Sequence, residues 1–373
     1  MNILITGSEG FFGKNLCISL EREKNINILK YDKEKNINDL QAFIKKADFI
    51  FHLAGENRPK DAKDFYKTNY NLTEKIIENL IHNEKKPFVF ASSTQAELDN
   101  DYGKSKKMAE DALIAYSKKN KSKVFIYRLT NLFGKWCKPN YNSVVATFCY
   151  NIANDLPIQI NNKNQEIELL YIDDVINSFK NILTDKKELK DISKIFYNIN
   201  KTKKITLKEL ADYIYGFKTI RENHKIPNFS EEFTRNLYSV FVSYYNIKNL
   251  SYNALMKTDE RGWLFELIKS DYFGQIFISK TRPGITRGNH YHDTKIEKFC
   301  VIQGDGLIRF RSLHNNSITE YKVDDKKIQI IDIPPGYTHS IENIGSNEMI
   351  TIFWAFEEFD IKKSDTHYEK VIQ

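Results

Sequence analysis

No apolar run in this sequence of 373 residues approaches the roughly 18–20 residues that a membrane-spanning helix needs, so we predict no membrane association. The first residues also lack the positive charge that begins a secretory signal, and we expect no cleavable leader. The four cysteines are widely spaced and form no CxxC pair, which is typical of a reducing compartment. These absences together predict a cytosolic location.

The charge likewise forms no block of one sign. The chain carries 56 basic and 49 acidic residues, a net charge of +7, but its lysines are scattered among asparagine and isoleucine. Because a nucleic-acid surface needs clustered basic residues, we predict no nucleic-acid partner. A modest positive field instead suits an anionic nucleotide as the substrate.

The length predicts two domains, because a single hydrophobic core rarely grows beyond roughly 250–300 residues. Strands and helices alternate in the first part of the chain, and this order favours an α/β fold with a doubly wound parallel sheet. Short strands follow one another in the last part, as in an antiparallel all-β barrel. We place the boundary within 239–252 and predict domains over 1–245 and 246–373. The predicted elements are strands Asn2–Thr6, Ile26–Asp32, Asp48–Ala54, Phe88–Ser93 and Val124–Leu129, helices Asp61–Asn83 and Tyr102–Lys118, and then strands Gly274–Lys280, Phe299–Ile302, Gly306–Arg311, Ser317–Val323, Ile328–Ile333 and Met349–Phe356.

A glycine-rich turn follows the first predicted strand and opens a helix. Gly7, Gly10 and Gly13 give the spacing GxxGxxG, where backbone N–H groups and the positive end of a helix can meet a pyrophosphate. A glycine triplet alone also occurs in ordinary tight turns. Asp32 strengthens the interpretation, because an acid at the end of the second strand takes the ribose hydroxyls of NAD. Two lysines beside it suit the 2′-phosphate of NADP, so NADPH and NADH both stay open.

Tyr102 and Lys106 stand four residues apart, the spacing that puts two side chains on one face of a helix. An ammonium group there can lower the pKa of the phenol, and such a phenol can deliver a proton to a carbonyl oxygen. The spacing alone means little in a lysine-rich chain. It gains weight because Ser93 and Thr94 end a predicted strand just before this helix, where their hydroxyls can hydrogen-bond the same oxygen.

These motifs resemble the extended short-chain dehydrogenase/reductase family, whose fold is Rossmann-like. The resemblance continues in residues 52–55 (HLAG), 128–134 (RLTNLFG) and 171–175 (YIDDV). The catalytic residues that it implies are Tyr102 as the acid, Lys106 as its modulator, Ser93 as the partner of the substrate oxygen and Asn69 as the support of the proton relay. The cofactor-binding residues that it implies are Gly7, Gly10, Phe11, Phe12, Gly13, Asp32, Leu53, Ala54, Gly55, Tyr102 and Lys106.

Extended members of that family mostly act on nucleotide-linked sugars, so the resemblance also implies substrate contacts in the first domain. Thr94 is a second candidate for the partner of the substrate oxygen, and the other contacts fall in a polar loop. The residues concerned are Thr94, Asn131, Lys138, Asn140 and Asn142. Asparagines in such a loop are equally common as plain turn formers, and this alternative stays open.

Two segments of the second domain resemble the two cupin motifs. Residues 284–304 fit G-x5-HxH-x4-E-x6-G and residues 334–343 fit PxG-x2-H-x3-N, although Ile328 replaces the glycine that begins the second motif. Residues two apart in a strand face the same side, which agrees with a paired HxH. Three imidazoles and one carboxylate suit Zn²⁺, and other divalent metals such as Fe, Mn or Ni stay possible. The implied metal ligands are His290, His292, Glu297 and His339.

Residues 259–262 (DERG) and 287–291 (RGNHY) resemble the deoxyhexose-nucleotide 3,5-epimerases, which are built on the same barrel. The substrate contacts that this implies are Asp259, Arg261 and Arg287. His290 already belongs to the metal pattern, so its use as a base in those enzymes does not carry over. The epimerisation base therefore stays unassigned.

A reductase of this type fused to a metal cupin resembles the CapF-type bifunctional enzymes of capsular polysaccharide synthesis over essentially the whole chain. The resemblance implies a UDP-linked 2-acetamido-2,6-dideoxy-hexos-4-ulose as the substrate, epimerised at C3 by the cupin and then reduced at C4 with NADPH. The product is then UDP-N-acetyl-6-deoxy-L-talosamine, a precursor of UDP-N-acetyl-L-fucosamine. Chemistry independently puts epimerisation first, because the C3 proton is acidic only while C4 is a ketone.

Two other interpretations stay open. A non-catalytic NADP sensor with a sugar-binding cupin would keep the glycine loop, but it has no need of both Tyr102 and Lys106. An unrelated cupin isomerase or dioxygenase fused to a reductase would lack a reason for the DERG and RGNHY segments. We also expect a homodimer, because such barrels commonly cover their edge strands by pairing.

Overall fold

The chain forms two compact units in this computed structural model. One unit comprises residues 1–214 and 239–245, and the other comprises 215–238 and 246–373. Residues 215–238 group with the second unit because their backbone bonds to it, as when Ile226 N–H donates to Lys269 O at 2.9 Å. The predicted boundary after residue 245 stays a prediction. The residues that the structure describes are 1–81, 85–359, 362 and 365–372.

The first unit is built on a parallel sheet with the strand order β2-β1-β3-β4-β5-β8, beside a small sheet of order β6-β7-β9. The large sheet confirms the predicted doubly wound α/β fold, and its inner strands are almost entirely buried because helices cover both faces. The strands of this unit are, in chain order, β1 (Asn2–Thr6), β2 (Asn27–Tyr31), β3 (Phe49–His52), β4 (Phe88–Ser93), β5 (Val124–Leu129), β6 (Asn131–Phe133), β7 (Glu166–Tyr171), β8 (Phe196–Tyr197) and β9 (Thr202–Thr206).

Alternate residues of each strand build two separate cores, one on each face of the sheet. Ile3 and Ile5 of β1 pack in one core and Leu4 packs in the other, as the two-residue period of a strand requires. The predicted helix 61–83 is divided by a π-helical segment over 66–71, and its predicted end lies outside the described residues. The helices are α1 (Phe11–Leu20), α2 (Ile37–Lys46), α3 (Lys63–Phe65), α4 (Leu72–Ile81), α5 (Asp101–Asn120), α6 (Val144–Ala153), α7 (Ile172–Thr184), α8 (Lys186–Lys190), α9 (Leu207–Glu222) and α10 (Glu232–Val242), with 3₁₀ turns at Thr94–Glu97 and Ile247–Asn249.

The second unit contains two antiparallel sheets, as predicted. Their orders are β10-β11-β12-β19-β14-β17 and β16-β15-β18-β13-β20. Phe299 and Phe353 of the first sheet pack in one core with Ile308 and Ile341 of the second. The strands are β10 (Lys257–Asp259), β11 (Gly262–Ser270), β12 (Gly274–Thr281), β13 (Thr286–Tyr291), β14 (Glu297–Gln303), β15 (Asp305–Ser312), β16 (Ile318–Asp324), β17 (Ile330–Ile333), β18 (Tyr337–Asn343), β19 (Met349–Ala355) and β20 (His367–Tyr368).

Two observations bear on the surroundings that the sequence predicts for this chain. All four cysteines are free thiols. Among the described residues, none of the helices combines the length and the apolar character needed to cross a bilayer.

Candidate functional site

The glycine loop after β1 lies where the strand order of the parallel sheet reverses, between β1 and β3. Ligands of open α/β sheets bind at such switch points. Gly7 has φ +71°, and a Cβ there would stand 2.7 Å from the backbone nitrogen of Ala54. A Cβ on Gly13 would stand 2.1 Å from Gly7 O. Glycine at position 7 therefore lets the loops after β1 and β3 meet closely, and glycine at position 13 lets the start of α1 pack on the loop after β1.

This contact gathers the predicted cofactor residues of the two loops. Phe11 and Phe12 begin α1, where backbone N–H groups have no acceptor within the helix. Such a group of donors at a helix N-terminus fits a pyrophosphate. The residues that the two loops bring together are Gly7, Gly10, Phe11, Phe12, Gly13, Leu53, Ala54 and Gly55.

Asp32 lies just after β2 and is tied to the same loop. Its carboxylate accepts the backbone N–H of Glu9 at 2.8 Å and that of Lys33 at 2.8 Å. The Lys33 side chain is 83% exposed and its Nζ lies 3.6 Å from a carboxylate oxygen of Glu56. Asp32 thus fixes the loop, and an exposed ammonium group stands next to it.

The start of α5 packs tightly on the turn that follows β4. A Cβ on Gly103 would stand 2.2 Å from Gln95 O, so glycine permits this contact. The contact places Tyr102 beside Ser93. Burial raises the pKa of Tyr102, and the nearby Ser93 hydroxyl lowers it by less.

Lys106 lies on the same helix, and its ammonium group is directed at the end of β4. Its Nζ donates to Ala91 O at 3.0 Å and lies 4.9 Å from the ring centre of Phe90. Burial lowers the pKa of Lys106 to about 8, against the opposing effect of Glu110. The expectation that Lys106 lowers the pKa of Tyr102 is not met, because the amine bonds the backbone and burial dominates the phenol.

Asn69 is fully buried in the π-helical segment and links this site to the loop after β3. Its amide donates to Ser105 Oγ at 3.0 Å and to Glu56 O at 3.2 Å, and its oxygen accepts the N–H of Glu56 at 2.9 Å. A Cβ on Gly55 would stand 3.1 Å from both Asn69 Oδ1 and Lys106 Nζ. Gly55 therefore leaves room for both side chains, and π-helical turns are frequent at functional sites.

Sequence reasoning missed Glu110, a buried carboxylate four residues after Lys106 on α5. It is 0% exposed, accepts the Ser92 hydroxyl at 2.6 Å, and accepts Arg128 Nε at 3.0 Å and Nη2 at 2.7 Å. These donors compensate a charge that would otherwise be costly to bury. The available signal was the spacing Lys106–Glu110, which places both side chains on one helix face.

The predicted substrate residues of the first unit lie at the surface, and several are already bonded. Thr94 is exposed at the start of a 3₁₀ turn. The Asn131 amide donates to Glu168 O at 3.1 Å. Asn140 has φ +52°, and its amide donates to Asn151 Oδ1 at 3.2 Å, as in a turn-forming residue.

The remaining residues of that loop face solvent. Lys138 and Asn142 are exposed, and Lys138 Nζ lies 5.3 Å from the ring centre of Tyr141. The Tyr141 hydroxyl donates to Glu56 at 2.9 Å. Glu56, which sequence reasoning also missed, therefore joins the loop to Asn69 and Lys33, and its position after HLAG was the available signal.

The second unit brings the four predicted metal ligands together. The ligand atoms of His290, His292, Glu297 and His339 all lie within 4.8 Å of one another. His290 ends a bulged part of β13 beside Asn289, whose φ is +60°, and His292 lies just beyond the strand. The paired HxH therefore reaches the cluster through a bulge and a strand end instead of through simple alternation.

The donor set fits a tetrahedral metal ion. His292 Nε2 and His339 Nε2 are buried without a hydrogen bond of good geometry in the described part of the chain, yet they lie 3.3 and 3.4 Å from Glu297 Oε2. Zinc held at about 2.0–2.1 Å in a tetrahedron spaces its ligands by about 3.4 Å. Unpartnered imidazole nitrogens beside a carboxylate are ligands that zinc prefers.

The ionisation states also suit a metal ion. Burial, followed by the neighbouring His339, lowers the pKa of His290 to about 3, which keeps its imidazole neutral. Burial raises the pKa of Glu297, but the imidazoles of His292 and His339 outweigh it and bring the pKa to about 2. Neutral imidazoles and an ionised carboxylate are the forms that bind metal.

Two arginines of the same unit lie near each other, Arg261 in the turn between β10 and β11 and Arg287 in β13 of the other sheet. Arg261 donates to Asp259 through Nε at 2.9 Å, and Arg287 donates to Thr281 Oγ1 at 3.0 Å. Burial, and next the charge of Arg261, lowers the pKa of Arg287, so the two cations are close enough to repel. The carboxylate of Asp259 offsets one of the two positive charges, so a net positive charge remains, which suits an anionic ligand.

Fold and site together define the class: a Rossmann-like unit joined to antiparallel sheets that carry a cluster of metal-type ligands. The family model described as "NAD dependent epimerase/dehydratase family" matches residues 3–199, and the model "Polysaccharide biosynthesis C-terminal domain" matches residues 257–367. The chain belongs to the NAD dependent epimerase/dehydratase family.

Two known proteins are similar to this chain over essentially its full length. UDP-2-acetamido-2,6-beta-L-arabino-hexul-4-ose reductase of Pseudomonas aeruginosa is 39% identical over 368 residues, 98% of each chain. The crystal structure of capsular polysaccharide assembling protein CapF from Staphylococcus aureus matches all of both chains with 42% identity and a TM-score of 0.92. UDP-glucuronic acid 4-epimerase from Bacillus cereus shares the fold alone, with 19% sequence identity and a TM-score of 0.53. The match covers 59% of this chain and 83% of the epimerase chain. The predicted resemblance to CapF-type enzymes is confirmed.

Proposed function

We propose that this chain is a bifunctional nucleotide-sugar enzyme of capsular polysaccharide biosynthesis. The second unit epimerises C3 of UDP-2-acetamido-2,6-dideoxy-hexos-4-ulose, and the first unit reduces C4 to give UDP-N-acetyl-6-deoxy-L-talosamine, a precursor of UDP-N-acetyl-L-fucosamine. The observation that carries this proposal is that one chain holds both Tyr102 beside the buried Ser93 at a nucleotide-type loop and a largely buried cluster of three histidines and Glu297. Relatives that match it over its full length are named for a UDP-4-ketosugar reductase and for capsular polysaccharide assembly.

In the reductase unit, Tyr102 donates a proton to the C4 oxygen while Ser93 hydrogen-bonds the same oxygen. A bound nicotinamide supplies the hydride to C4. The raised pKa of Tyr102 keeps the phenol protonated and ready to donate. Lys106 holds the nicotinamide ribose. The hydrogen bonds that join Ser105, Asn69 and Glu56 lead away from the site and form the path by which Tyr102 regains its proton.

NADPH is the proposed reductant. Both carboxylate oxygens of Asp32 accept backbone N–H groups, which leaves the carboxylate less able to accept a hydrogen bond from a ribose hydroxyl. The neighbouring Lys33 side chain is 83% exposed and can meet a 2′-phosphate. A comparison of the Kd values for NADPH and NADH tests this assignment, and tighter binding of NADH contradicts it.

In the epimerase unit, His290, His292, Glu297 and His339 would hold a zinc ion, the proposed metal. With zinc bound, these ligands would place positive charge where it could stabilise an enolate oxygen. Arg261 and Arg287 bind the diphosphate of the substrate, with Asp259 fixing Arg261 through hydrogen bonds to its guanidinium and backbone N–H groups. Thr94, Asn131, Lys138 and Asn142 are kept as proposed substrate contacts of the first unit, whereas the bonds of Asn140 favour a turn-forming role.

We further propose a homodimer in the cytosol, formed through the second unit. One outer row of its six-stranded sheet runs Phe265, Ile278, Ile352, Cys300 and Ile330 across five strands. All five are at least partly exposed, and Ile330, on the edge strand β17, is 67% exposed. An apolar row that ends at an open edge favours pairing with a second copy. Four free thiols agree with a reducing compartment.

Single-site variants test whether the two units perform separate steps. Tyr102→Phe should lower the rate of NADPH oxidation by about 10²–10⁴-fold, the usual contribution of a positioned general acid. Exchange of the C3 hydrogen of the ketone for deuterium in D₂O, called C3 exchange below, should be retained. Tyr116→Phe is the control, because Tyr116 is buried on the same helix about 21 Å further along at 1.5 Å per residue. Equal activity of Tyr102→Phe and Tyr116→Phe contradicts the assignment.

The reverse pattern is expected for the metal cluster. His339→Ala should abolish C3 exchange and retain NADPH oxidation with the unepimerised ketone as the substrate. His314→Ala removes an exposed histidine of the same unit and should change neither rate. Exchange that persists in His339→Ala excludes the cluster from the reaction.

A further inference from the structure

The orienting hydrogen bonds of two of the clustered histidines differ in origin. His292 and His339 each bond a backbone carbonyl through Nδ1, and a carbonyl only accepts, so Nδ1 carries the proton and Nε2 is left as a donor atom for a metal. For His339 the acceptor stands two residues earlier in the chain, at Tyr337. For His292 the acceptor is the carbonyl of Asp365, 73 residues later in the sequence.

Asp365 also holds the turn that follows His292. One carboxylate oxygen accepts the backbone N–H of Asp293 at 2.9 Å. The other accepts the N–H groups of Thr294 and Lys295, both at 2.9 Å, and the Thr294 hydroxyl at 3.0 Å. A single residue therefore fixes the His292 ring through its carbonyl and the adjoining backbone through its side chain.

Asp293, Asp365 and His367 lie close enough to suggest a second metal site. The oxygens of Asp365 are already occupied by four donors, however. The arrangement is that of a structural clamp and not of a vacant ligand set.

The segment that carries Asp365 is anchored on both sides of the cluster. We call residues 365–371 the C-terminal strap. Its strand β20 pairs with β13, placing Tyr368 opposite His290. Further along, the N–H of Glu369 donates to Asn289 O at 2.9 Å, and that of Val371 donates to Asn289 Oδ1 at 3.2 Å.

The far end of the strap is held from inside the unit. Arg311 is 4% exposed, donates to Lys370 O at 3.1 Å and is paired with Glu369. Val371 is 1% exposed. The strap is therefore an integral part of this unit, and Asp365 is held in place from its C-terminal side.

We propose that Asp365 is a positioning residue of the metal site, through which the C-terminal strap selects the His292 tautomer that leaves Nε2 free for the metal. The inference rests on the proposed metal site and adds a group that is no ligand itself. Groups that orient metal-bound histidines commonly account for 10–100-fold in metal affinity. Removal of the Asp365 side chain leaves its carbonyl in the chain but releases the turn after His292, so the carbonyl and the imidazole lose their fixed alignment and metal binding should weaken without the loss of any ligand.

Zinc affinity of the full chain tests the proposal. The metal-free protein is titrated with Zn²⁺ in competition with a chromogenic chelator, and its urea midpoint is measured in parallel. Asp365→Ala should raise the Kd for zinc about 10–100-fold. In Asp365→Asn the amide oxygen can take the place of the carboxylate oxygen that serves three of the four donors, so the Kd should rise less. Asp324→Asn is the matched control, because Asp324 accepts the N–H groups of Lys326 and Lys327 elsewhere in the unit and should leave the Kd unchanged.

The outcomes separate this inference from the metal site on which it rests. A Kd that is unchanged in Asp365→Ala overturns the role of the strap. A Kd that rises equally in Asp324→Asn also overturns it, since any loosened turn then has the same effect. If the wild type binds no zinc, or if His339→Ala binds it as tightly as the wild type, the metal site itself is wrong and the inference falls with it.

Discussion

The buried carboxylate of Glu110 gives the sharpest prediction for the reductase unit. It is 0% exposed, whereas its partner Arg128 is 22% exposed and retains a second partner, Glu97. Glu110→Gln preserves the shape and removes the charge. Breaking a buried ion pair costs about 3–5 kcal/mol, and we expect about 3 kcal/mol here because Arg128 keeps Glu97. Urea unfolding measures this loss.

The same substitution should change the pH dependence of reduction. Glu110 opposes the effect of burial on Lys106, whose pKa stands at about 8. Without that negative charge the pKa falls further, so the ammonium form is lost at a lower pH. If charged Lys106 is needed for reduction, the alkaline limb of the kcat profile for NADPH oxidation should shift to lower pH.

A matched variant separates this effect from general damage. Glu97→Gln alters the same arginine, but Glu97 is 70% exposed, so its loss should cost less than about 1 kcal/mol and leave the pH profile unchanged. An unshifted alkaline limb in Glu110→Gln refutes the link between Glu110 and Lys106. Equal destabilisation by both variants refutes the importance assigned to burial.

Three further predictions concern the loop, the relay and the arginine pair. Gly13→Ala should destabilise the fold by about 1–3 kcal/mol and weaken nicotinamide binding in a fluorescence titration, because its Cβ would stand 2.1 Å from Gly7 O. Asn69→Ala should cost about 1–3 kcal/mol in urea unfolding, since it leaves the N–H of Glu56 without its acceptor. Arg287→Ala should raise the KM for the nucleotide sugar about tenfold, the loss of one charged hydrogen bond, while the Kd for zinc stays the same. Wild-type stability of Gly13→Ala or of Asn69→Ala contradicts the corresponding prediction. An unchanged KM in Arg287→Ala contradicts the third.

The sequence predicted best those elements whose residues show their burial directly. β1, β4 and β5 begin and end where predicted, because strands covered on both faces are continuous apolar runs. His339 was expected on a strand, but the bounds of β18 were not predicted, since its buried positions include Thr338, His339 and Ser340, which carry no apolar alternation. Its motif nevertheless revealed His339.

The parts of the site that were missed depend on tertiary contacts. Glu110 is recognisable as buried only when Arg128 is brought beside it by a neighbouring strand. Asp365 meets His292 across 73 residues, a pairing that no local pattern encodes. The pKa of Tyr102 was predicted to fall because helix spacing suggests contact with Lys106, whereas the structure bonds that amine to Ala91.

The central claim is that a ketone at C4 first activates C3 in the second unit and is then reduced in the first. Incubating the wild-type enzyme with the 4-keto sugar nucleotide in D₂O, without any nicotinamide, tests this order most directly. The account predicts deuterium at C3 of the recovered ketone by NMR, and NADPH oxidation only after the reductant is added. A C3 position that stays free of deuterium until NADPH is present contradicts it.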